Sequence, residues 1–234
     1  MTPYKLKTLT IKQQHKHAAR IIREILEENK DASSYLLLAP LFSLSPPRTL
    51  KQWCDRFHFH YKLAHEHISE TSLLQVRTCD RLSGANYLTI DIYLDHLRSA
   101  HNVGSILRTN EAFRIGEVYF GGYTPTDPIK IHKTSMGSVQ HVVCHQNASY
   151  ETLTKRPLIA LETVDGAIDL ESFIFPSSFT LILGNEETGI SDQGLSLSTQ
   201  FIQIPLVGMK NSINVAAAFA IVAAKIRHQH SISE

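Results

Sequence analysis

The stretch "IPLVGMKNSINVAAAFAIVAAKI", residues 204–226, begins with the apolar pattern of a buried strand and ends with that of a buried helix. Between them lies a polar insert that contains Lys210, Asn211, Ser212 and Asn214. A strand followed by a helix is the repeating unit of a parallel sheet covered by helices. The polar insert therefore falls where such a sheet binds ligands, beyond the carboxyl end of a strand.

The same unit recurs through residues 86–234, where short β-rich runs alternate with helical patterns. Strands are predicted for 87–94, 117–122, 140–145, 157–163, 179–184 and 201–206. Helices are predicted near 103–114, 129–136, 149–155, 191–198 and 212–228. This alternation predicts an α/β fold, a parallel sheet with helices on its faces.

Residues 1–85 differ in charge from the rest of the chain. They hold 13 Lys and Arg against 8 Asp and Glu, whereas residues 86–234 hold 10 against 14. An amphipathic helix is predicted over 11–29, the segment 45–49 breaks the chain, and 53–68 is ambiguous between strand and helix. We therefore predict a small α or α+β unit. Its positive charge suggests docking of RNA, although an ordinary solvated surface would explain the charge equally well.

Several classes of protein are disfavoured by the sequence. No apolar run reaches the ~18 residues of a membrane span, and the first residues lack a signal-peptide core, so a cytoplasmic protein is expected. Cys54, Cys79 and Cys144 lie far apart, and we expect them to be reduced. The dinucleotide fingerprint, the phosphate-binding loop and the nucleophile elbow are all missing.

No metal site is expected either. Three histidine pairs have the i, i+2 spacing of neighbours on one side of a strand, but they lack cysteine or acidic partners at ligand spacing. These pairs are His15/His17, His58/His60 and His65/His67.

Two further polar stretches resemble ligand-binding loops. In "HNVGSILRTNEAF", residues 101–113, His101 or Asn102 can cap a helix, Gly104 permits close approach, and Arg108 offers a fork for phosphate. A capped surface helix with a solvated arginine would contain the same residue types.

In "LILGNEETGIS", residues 181–191, Glu186 can orient an amide or a hydroxyl, and a solvated acidic turn is the ordinary alternative. In the opening stretch, Asn211 or Ser212 can cap a helix that starts near Ile213. The free N–H groups at such a helix start attract anions.

Taken together, these stretches resemble the SPOUT superfamily of RNA methyltransferases, in its SpoU/TrmH branch, which methylates ribose 2′-hydroxyls. The resemblance rests on "NVGSILRTNEAF", "LILGNEETGIS" and "IPLVGMKNSINVAAA", with "KTSMGS" (133–138) as the segment between, and it covers residues 86–234. The chain departs from the usual pattern at Asn110, where Ala is common, and at Arg114, where Gly is usual. It also departs at Glu187, where Gly is frequent, at Ile213, where Leu is usual, and at Ala216, where Ser is frequent. None of these changes removes a proposed catalytic side chain.

The resemblance implies a deep trefoil knot at the carboxyl end, S-adenosylmethionine bound in that knot, no required metal, tRNA or rRNA as partner, and a homodimer that shares its site. It implies that Arg108 assists at the ribose hydroxyl and that Asn102 and Glu186 orient Arg108 and the ribose. The implied catalytic residues are Arg108, Asn102, Glu186, Ser212 and Asn214. The implied cofactor-binding residues are Leu161, Glu162, Thr163, Gly184, Asn185, Ile204, Leu206, Ser212 and Ile213.

Other functions stay open at this point. A methyltransferase of the same superfamily that acts on RNA bases is one, but the spacing of Asn102 and Arg108 favours ribose. A catalytically silent RNA-binding or ribosome-assembly protein is another, and the intact polar side chains count against it. A nucleotide-binding metabolic enzyme lacks its phosphate loop.

Overall fold

A computed structural model describes residues 3–65, 85–153 and 156–232 of the chain. The chain divides into two units, Met1–Arg81 and Leu82–Glu234. His67 and Cys79 lie outside the described residues. Of the helices that are described, none is both long and apolar enough to cross a membrane.

The described part of the first unit is helical, which resolves the choice between α and α+β for these residues. Thr10 caps its longest helix through a reciprocal pair of bonds with Gln13, and Asn29 ends that helix in the left-handed conformation. The segment that was ambiguous between strand and helix is helical as far as Ala64. The helices are α1 Pro3–Lys7, α2 Ile11–Glu28, α3 Ser33–Leu36 and α4 Leu50–Ala64, with a 3₁₀ turn at Ala39–Phe42.

His58 and His60, whose spacing would place them on one side of a strand, both lie on the helix α4. Helical positions i and i+2 point in different directions, so His60 is fully buried while His58 is exposed. His60 instead meets His15 of α2, with their Nδ1 atoms 2.7 Å apart. Its other ring nitrogen lies 2.8 Å from the hydroxyl of Tyr35.

The second unit contains the predicted parallel sheet, with seven strands where six were predicted. The order across the sheet is β3-β2-β1-β6-β4-β7-β5, and every neighbouring pair is parallel. The strands are β1 Ile90–Asp95, β2 Gly116–Gly121, β3 Cys144–Ala148, β4 Leu158–Leu161, β5 Ile168–Asp169, β6 Phe179–Leu183 and β7 Gln200–Gln203.

Both faces of the sheet are covered. Ile92 and Leu94 of β1 belong to a core that includes the buried faces of the helices α5 and α8. Tyr93, which points the other way, packs at 4.6 Å from the ring of Tyr150. The helices of this unit are α5 Ala100–Phe113, α6 Pro128–Thr134, α7 Asp192–Leu197 and α8 Val215–Ile232.

Two predicted elements are wrong. The strand expected at 140–145 begins only at Cys144, because the left-handed Gly137 opens a 3₁₀ turn over Ser138–His141. The strand β3 pairs on one side only, and its polar sequence lacks the apolar run of a buried strand. The helix expected at 149–155 is a 3₁₀ turn, Tyr150–Thr152.

Two of the residues that depart from the family pattern, Asn110 and Arg114, have structural roles. Asn110 is fully buried, and its amide exchanges two hydrogen bonds with the backbone of Gly116, which ties the end of α5 to the start of β2. Arg114 ends α5 in the left-handed conformation (φ 52°), and its guanidinium lies 4.2 Å from the ring centroid of Tyr87.

Candidate active site

The helix α5 begins with a serine cap. Ser99 Oγ accepts a hydrogen bond from the backbone N–H of Asn102 at 3.3 Å, so the expected cap by His101 or Asn102 is wrong. Asn102 lies in the first turn of the helix, and its side chain is buried and free for another role.

Asn102 connects the three polar loops. Its Nδ2 donates to Glu186 Oε1 at 2.7 Å, and its Oδ1 accepts from Asn214 Nδ2 at 3.0 Å. Glu186 also accepts from the backbone N–H groups of Arg98 at 2.9 Å and Ser99 at 3.2 Å. Loops that are widely separated in sequence therefore meet at one edge of the sheet.

The hydrogen bonds to Glu186 also affect its charge. Partial burial acts to raise the pKa of this carboxyl group, but the bonds from the Arg98 backbone and the Asn102 side chain outweigh it and hold the pKa below its usual value. Glu186 is therefore a carboxylate at neutral pH. A fixed carboxylate of this kind defines the orientation of the Asn102 amide.

Asn214 is the cap of α8. Its Oδ1 accepts from the backbone N–H groups of Ala216 at 2.9 Å and Ala217 at 3.3 Å. The expected cap by Asn211 or Ser212, with a helix start near residue 212, is therefore wrong, and α8 begins at Val215. Ser212 lies exposed in the loop that precedes the cap.

The loop after β6 is held by Asn185. Its Oδ1 accepts from the backbone of Glu187 at 2.8 Å and Thr188 at 3.2 Å, and its backbone exchanges two bonds with Gly189. A side chain at Gly184 would collide with the backbone of Gly189, which explains the glycine at this position. Glu186 therefore lies on a turn that the hydrogen bonds of Asn185 hold in place.

Arg108 lies exposed on α5, six residues after Asn102. Its Nη1 donates to Met136 Sδ at 2.9 Å, which belongs to the "KTSMGS" segment. That segment packs closely on α5, since a Cβ at Gly104 would lie 2.5 Å from the Cβ of Thr134. No hydrogen bond within the described residues joins Arg108 to Asn102 or Glu186, so their orientation of Arg108 stays a prediction.

The expected cofactor residues lie at the same edge of the sheet. The Glu162 carboxylate accepts from the backbone N–H groups of Ile190 and Thr163, each at 3.0 Å, and the Glu162 backbone bonds Ile202. The ends of β4, β6 and β7 are therefore adjacent. The positions concerned are Leu161, Glu162, Thr163, Gly184, Asn185, Ile204, Leu206, Ser212 and Ile213.

The segment 204–213 supplies groups that a nucleoside needs. Within the described residues, the backbone N–H and C=O groups of this segment make no hydrogen bond, and residues 205–213 are exposed. Leu206 and Ile213 place apolar side chains beside these free donors and acceptors. This combination fits an adenosine-containing cofactor, which needs apolar contact with its base and backbone bonds at the base edge.

The sequence interpretation missed one buried acidic side chain beside this site. Asp95, the last residue of β1, is fully buried and accepts from the backbone of Ser191 at 2.7 Å and from His96 Nδ1 at 2.7 Å. An aspartate that ends an apolar strand is the signal in the sequence, because a carboxylate there needs buried partners. Arg98, also missed, pairs with Glu187.

Comparison with known protein families identifies the family of the second unit. Residues 89–224 match the model of the SpoU rRNA methylase family. The chain belongs to this family. The resemblance of the three polar loops to the SpoU/TrmH branch is thereby confirmed.

This SpoU-family chain is also similar to individual curated methyltransferases. It is 25% identical over 167 residues to the tRNA (guanosine(18)-2′-O)-methyltransferase of Escherichia coli K12, covering 65% of this chain and 69% of that protein. The enzyme of the same name from Thermus thermophilus is 26% identical over 147 residues, which cover 60% of this chain and 75% of that protein.

Solved structures share the fold. An AdoMet-bound rRNA methyltransferase from Sinorhizobium meliloti superposes with a TM-score of 0.54 at 24% identity, over 59% of this chain and 56% of that one. The SpoU methyltransferase AviRb from Streptomyces viridochromogenes, in complex with AdoMet, gives a TM-score of 0.56 at 23% identity, over 62% of this chain and 58% of that one. Each match therefore spans little more than half of this chain and little more than half of the solved structure.

Proposed function

We propose that this chain transfers a methyl group from S-adenosylmethionine to a ribose 2′-hydroxyl of tRNA or rRNA. The observation that carries the proposal is the hydrogen-bonded chain Asn214–Asn102–Glu186, which joins the three family loops at the carboxyl edge of a parallel sheet. Ligands of such sheets bind at this edge.

The cofactor would supply the reactive methyl group, and the residues around it would bind and orient it. Backbone groups at Leu161–Thr163, Gly184–Asn185 and 204–213 would hold it, with Leu206 and Ile213 against its base. None of these contacts requires a metal ligand.

Arg108 would act on the RNA. A guanidinium offers hydrogen-bond donors and no acceptor, so Arg108 would not serve as a general base. It would hold the adjacent phosphate through its fork and stabilise the alkoxide that develops at the ribose oxygen, while the proton leaves through phosphate or water. The exposed position of Arg108 on α5 leaves it accessible to RNA. Asn102 and Glu186 would position the ribose.

The first unit would dock the RNA. A groove of about 520 Å³ lies between α2 and α4 and is lined by Lys16, His17, Arg20, Tyr61 and His65, among others. Lys16 and Arg20 are exposed there, and cations in such a groove favour phosphate. Reversal of both charges should weaken RNA binding and reduce its salt dependence. The control reverses Lys5 and Lys51, two exposed lysines outside the groove lining, and should have a smaller effect. Equal effects of the two double changes would contradict this role.

The same resemblance supports a trefoil knot and a homodimer. Val207 and Met209 are fully exposed in the loop that the knot would contain, and apolar residues in such positions favour a covering partner surface. Sedimentation should therefore give twice the chain mass of 26.3 kDa. A crystal structure with S-adenosylmethionine would test the knot, and an unthreaded path for 204–214 would contradict it.

A labelled-methyl transfer assay with total RNA tests the activity. Label that appears in RNA supports the enzyme. RNA binding without transfer, under conditions where S-adenosylmethionine binds, would favour the silent RNA-binding alternative.

A further inference from the structure

Tyr123 is an exposed aromatic residue beside the proposed site. The residue is 62% exposed, and it follows β2 at the carboxyl edge of the sheet. We propose that the ring of Tyr123 is a stacking platform for an unpaired base of the RNA next to the methylated ribose; this rests on the proposed function.

The backbone that presents Tyr123 is rigid. Thr124 is buried, and its hydroxyl bonds the carbonyls of Leu94 at 3.0 Å and Gly121 at 2.8 Å while it accepts from the backbone of Leu97 at 3.1 Å. Gly122 adopts φ 55°, and a Cβ there would collide with the ring of His96. These contacts therefore hold the backbone of Tyr123 in one position.

The side chain is fixed as well, and it is fixed to the loop that carries Glu186. Asn185 Nδ2 donates to the Tyr123 hydroxyl at 3.0 Å and to the carbonyl of His96 at 2.6 Å. The His96 ring packs edge-on against Tyr123, with centroids 4.8 Å apart, and Asp95 holds His96 through Nδ1. An aromatic ring whose polar end is anchored leaves its apolar surface for a ligand.

The chemistry of that surface selects a nucleobase. RNA enzymes recognise unpaired bases by stacking them on aromatic rings. A ribose positioned by Asn102 and Glu186 brings its own or a neighbouring base to the adjoining turn, because Asn185 precedes Glu186 directly. The hydrogen bond from Asn185 to the hydroxyl suggests an alternative role, in which Tyr123 anchors the loop that carries Glu186. The experiment below distinguishes this anchoring role from base stacking.

The test compares Tyr123→Phe, which keeps the ring and removes the hydroxyl, with Tyr123→Ala in the full chain. The control is Ile174→Ala, which removes an exposed apolar side chain from a loop elsewhere in the second unit. Each variant is assayed for methyl transfer with unmodified tRNA and rRNA, for S-adenosylmethionine affinity, and for photo-crosslinking to a single-stranded RNA that contains 4-thiouridine.

We expect Tyr123→Ala to raise the KM for RNA by about tenfold or more, since the variant loses the stacking contact with one base. Its affinity for S-adenosylmethionine should be unchanged, and Tyr123→Phe and Ile174→Ala should behave like the native protein. Crosslinks of the native protein should map to Tyr123. A native KM in Tyr123→Ala, or a Tyr123→Phe variant as impaired as Tyr123→Ala, would overturn the proposal. If the native protein transfers no methyl group, the crosslink decides alone, and its absence from Tyr123 overturns the proposal.

Discussion

The side-chain amides of Asn102 and Asn214, 112 residues apart in the chain, are joined by a hydrogen bond of 3.0 Å. The direction of this bond is fixed at both ends. Asn214 Oδ1 already caps α8, so its NH₂ group must donate to Asn102 Oδ1. The NH₂ group of Asn102 is then left for the Glu186 carboxylate.

This arrangement separates two roles of Asn214. Asn214→Asp keeps the oxygen that caps α8 but loses the donor to Asn102, so stability should be retained while methyl transfer falls by about 10²-fold, as misplaced catalytic groups can cost. Asn214→Ala should in addition lose ~1 kcal/mol of unfolding free energy, because the cap is gone. Urea unfolding and a methyl transfer assay measure the two effects. Asn211→Ala is the control for stability, and a loss there equal to that of Asn214→Ala would refute the cap.

Arg108 is predicted to act on the RNA and not on the cofactor. Arg108→Ala should bind S-adenosylmethionine normally by calorimetry but lose most methyl transfer. Arg108→Lys should also be poor, because an ammonium group cannot reproduce the planar fork. Near-native turnover in the alanine variant would remove Arg108 from the mechanism.

Gly104 is predicted to be required for packing. An alanine in a helix normally stabilises it by ~1 kcal/mol relative to glycine. Here the new Cβ would lie 2.6 Å from the backbone carbon of Thr134, which is not free to move aside. Gly104→Ala should therefore lower the unfolding free energy by about 1–3 kcal/mol. Ser105→Ala, on the same helix, is the control, and a Gly104→Ala protein of raised stability would contradict the close approach.

The buried histidines predict that stability falls in acid. Arg56 donates to the Tyr35 hydroxyl at 3.0 Å, so that hydroxyl donates to His60 Nε2, and His60 donates through Nδ1 to His15. Burial, with His15 and Arg56 nearby, lowers the pKa of His60 to about 3, and burial also lowers the pKa of His15. Phe42 and Phe59 complete the surroundings.

At an acidic pH at which the histidines of the unfolded chain bind protons, both rings therefore stay neutral in the folded state. The contribution of His60 to the unfolding free energy should be constant above pH ~6.5 and fall toward pH ~3 by up to about 1.4 kcal/mol per pH unit, and His15 should add to this fall. Fluorescence of Trp53, the one tryptophan of the sequence, reports on this unit because it packs 5.4 Å from Tyr35. His60→Phe should flatten the pH dependence and His58→Gln should not. An unchanged slope in His60→Phe would contradict the account.

Much of the second unit could be predicted from its sequence, because strands buried on both faces, such as β1 and β6, consist mostly of apolar residues. The edge strand β3 could not, since its polar residues face solvent. The sequence analysis did not assign the helix caps to Ser99 and Asn214, because each has polar neighbours that could cap a helix equally well and the sequence alone does not distinguish them. The contacts of Asp95 with Ser191 and of Tyr123 with Asn185 join segments distant in sequence, which no local pattern can predict.

The most direct test of the central claim is mass spectrometry of nucleosides from tRNA and rRNA incubated with this protein and S-adenosylmethionine. The account predicts a single new 2′-O-methylated nucleoside that is absent when the Arg108→Ala variant replaces the native protein. A new base-methylated nucleoside, or no new nucleoside while the cofactor binds, would contradict it.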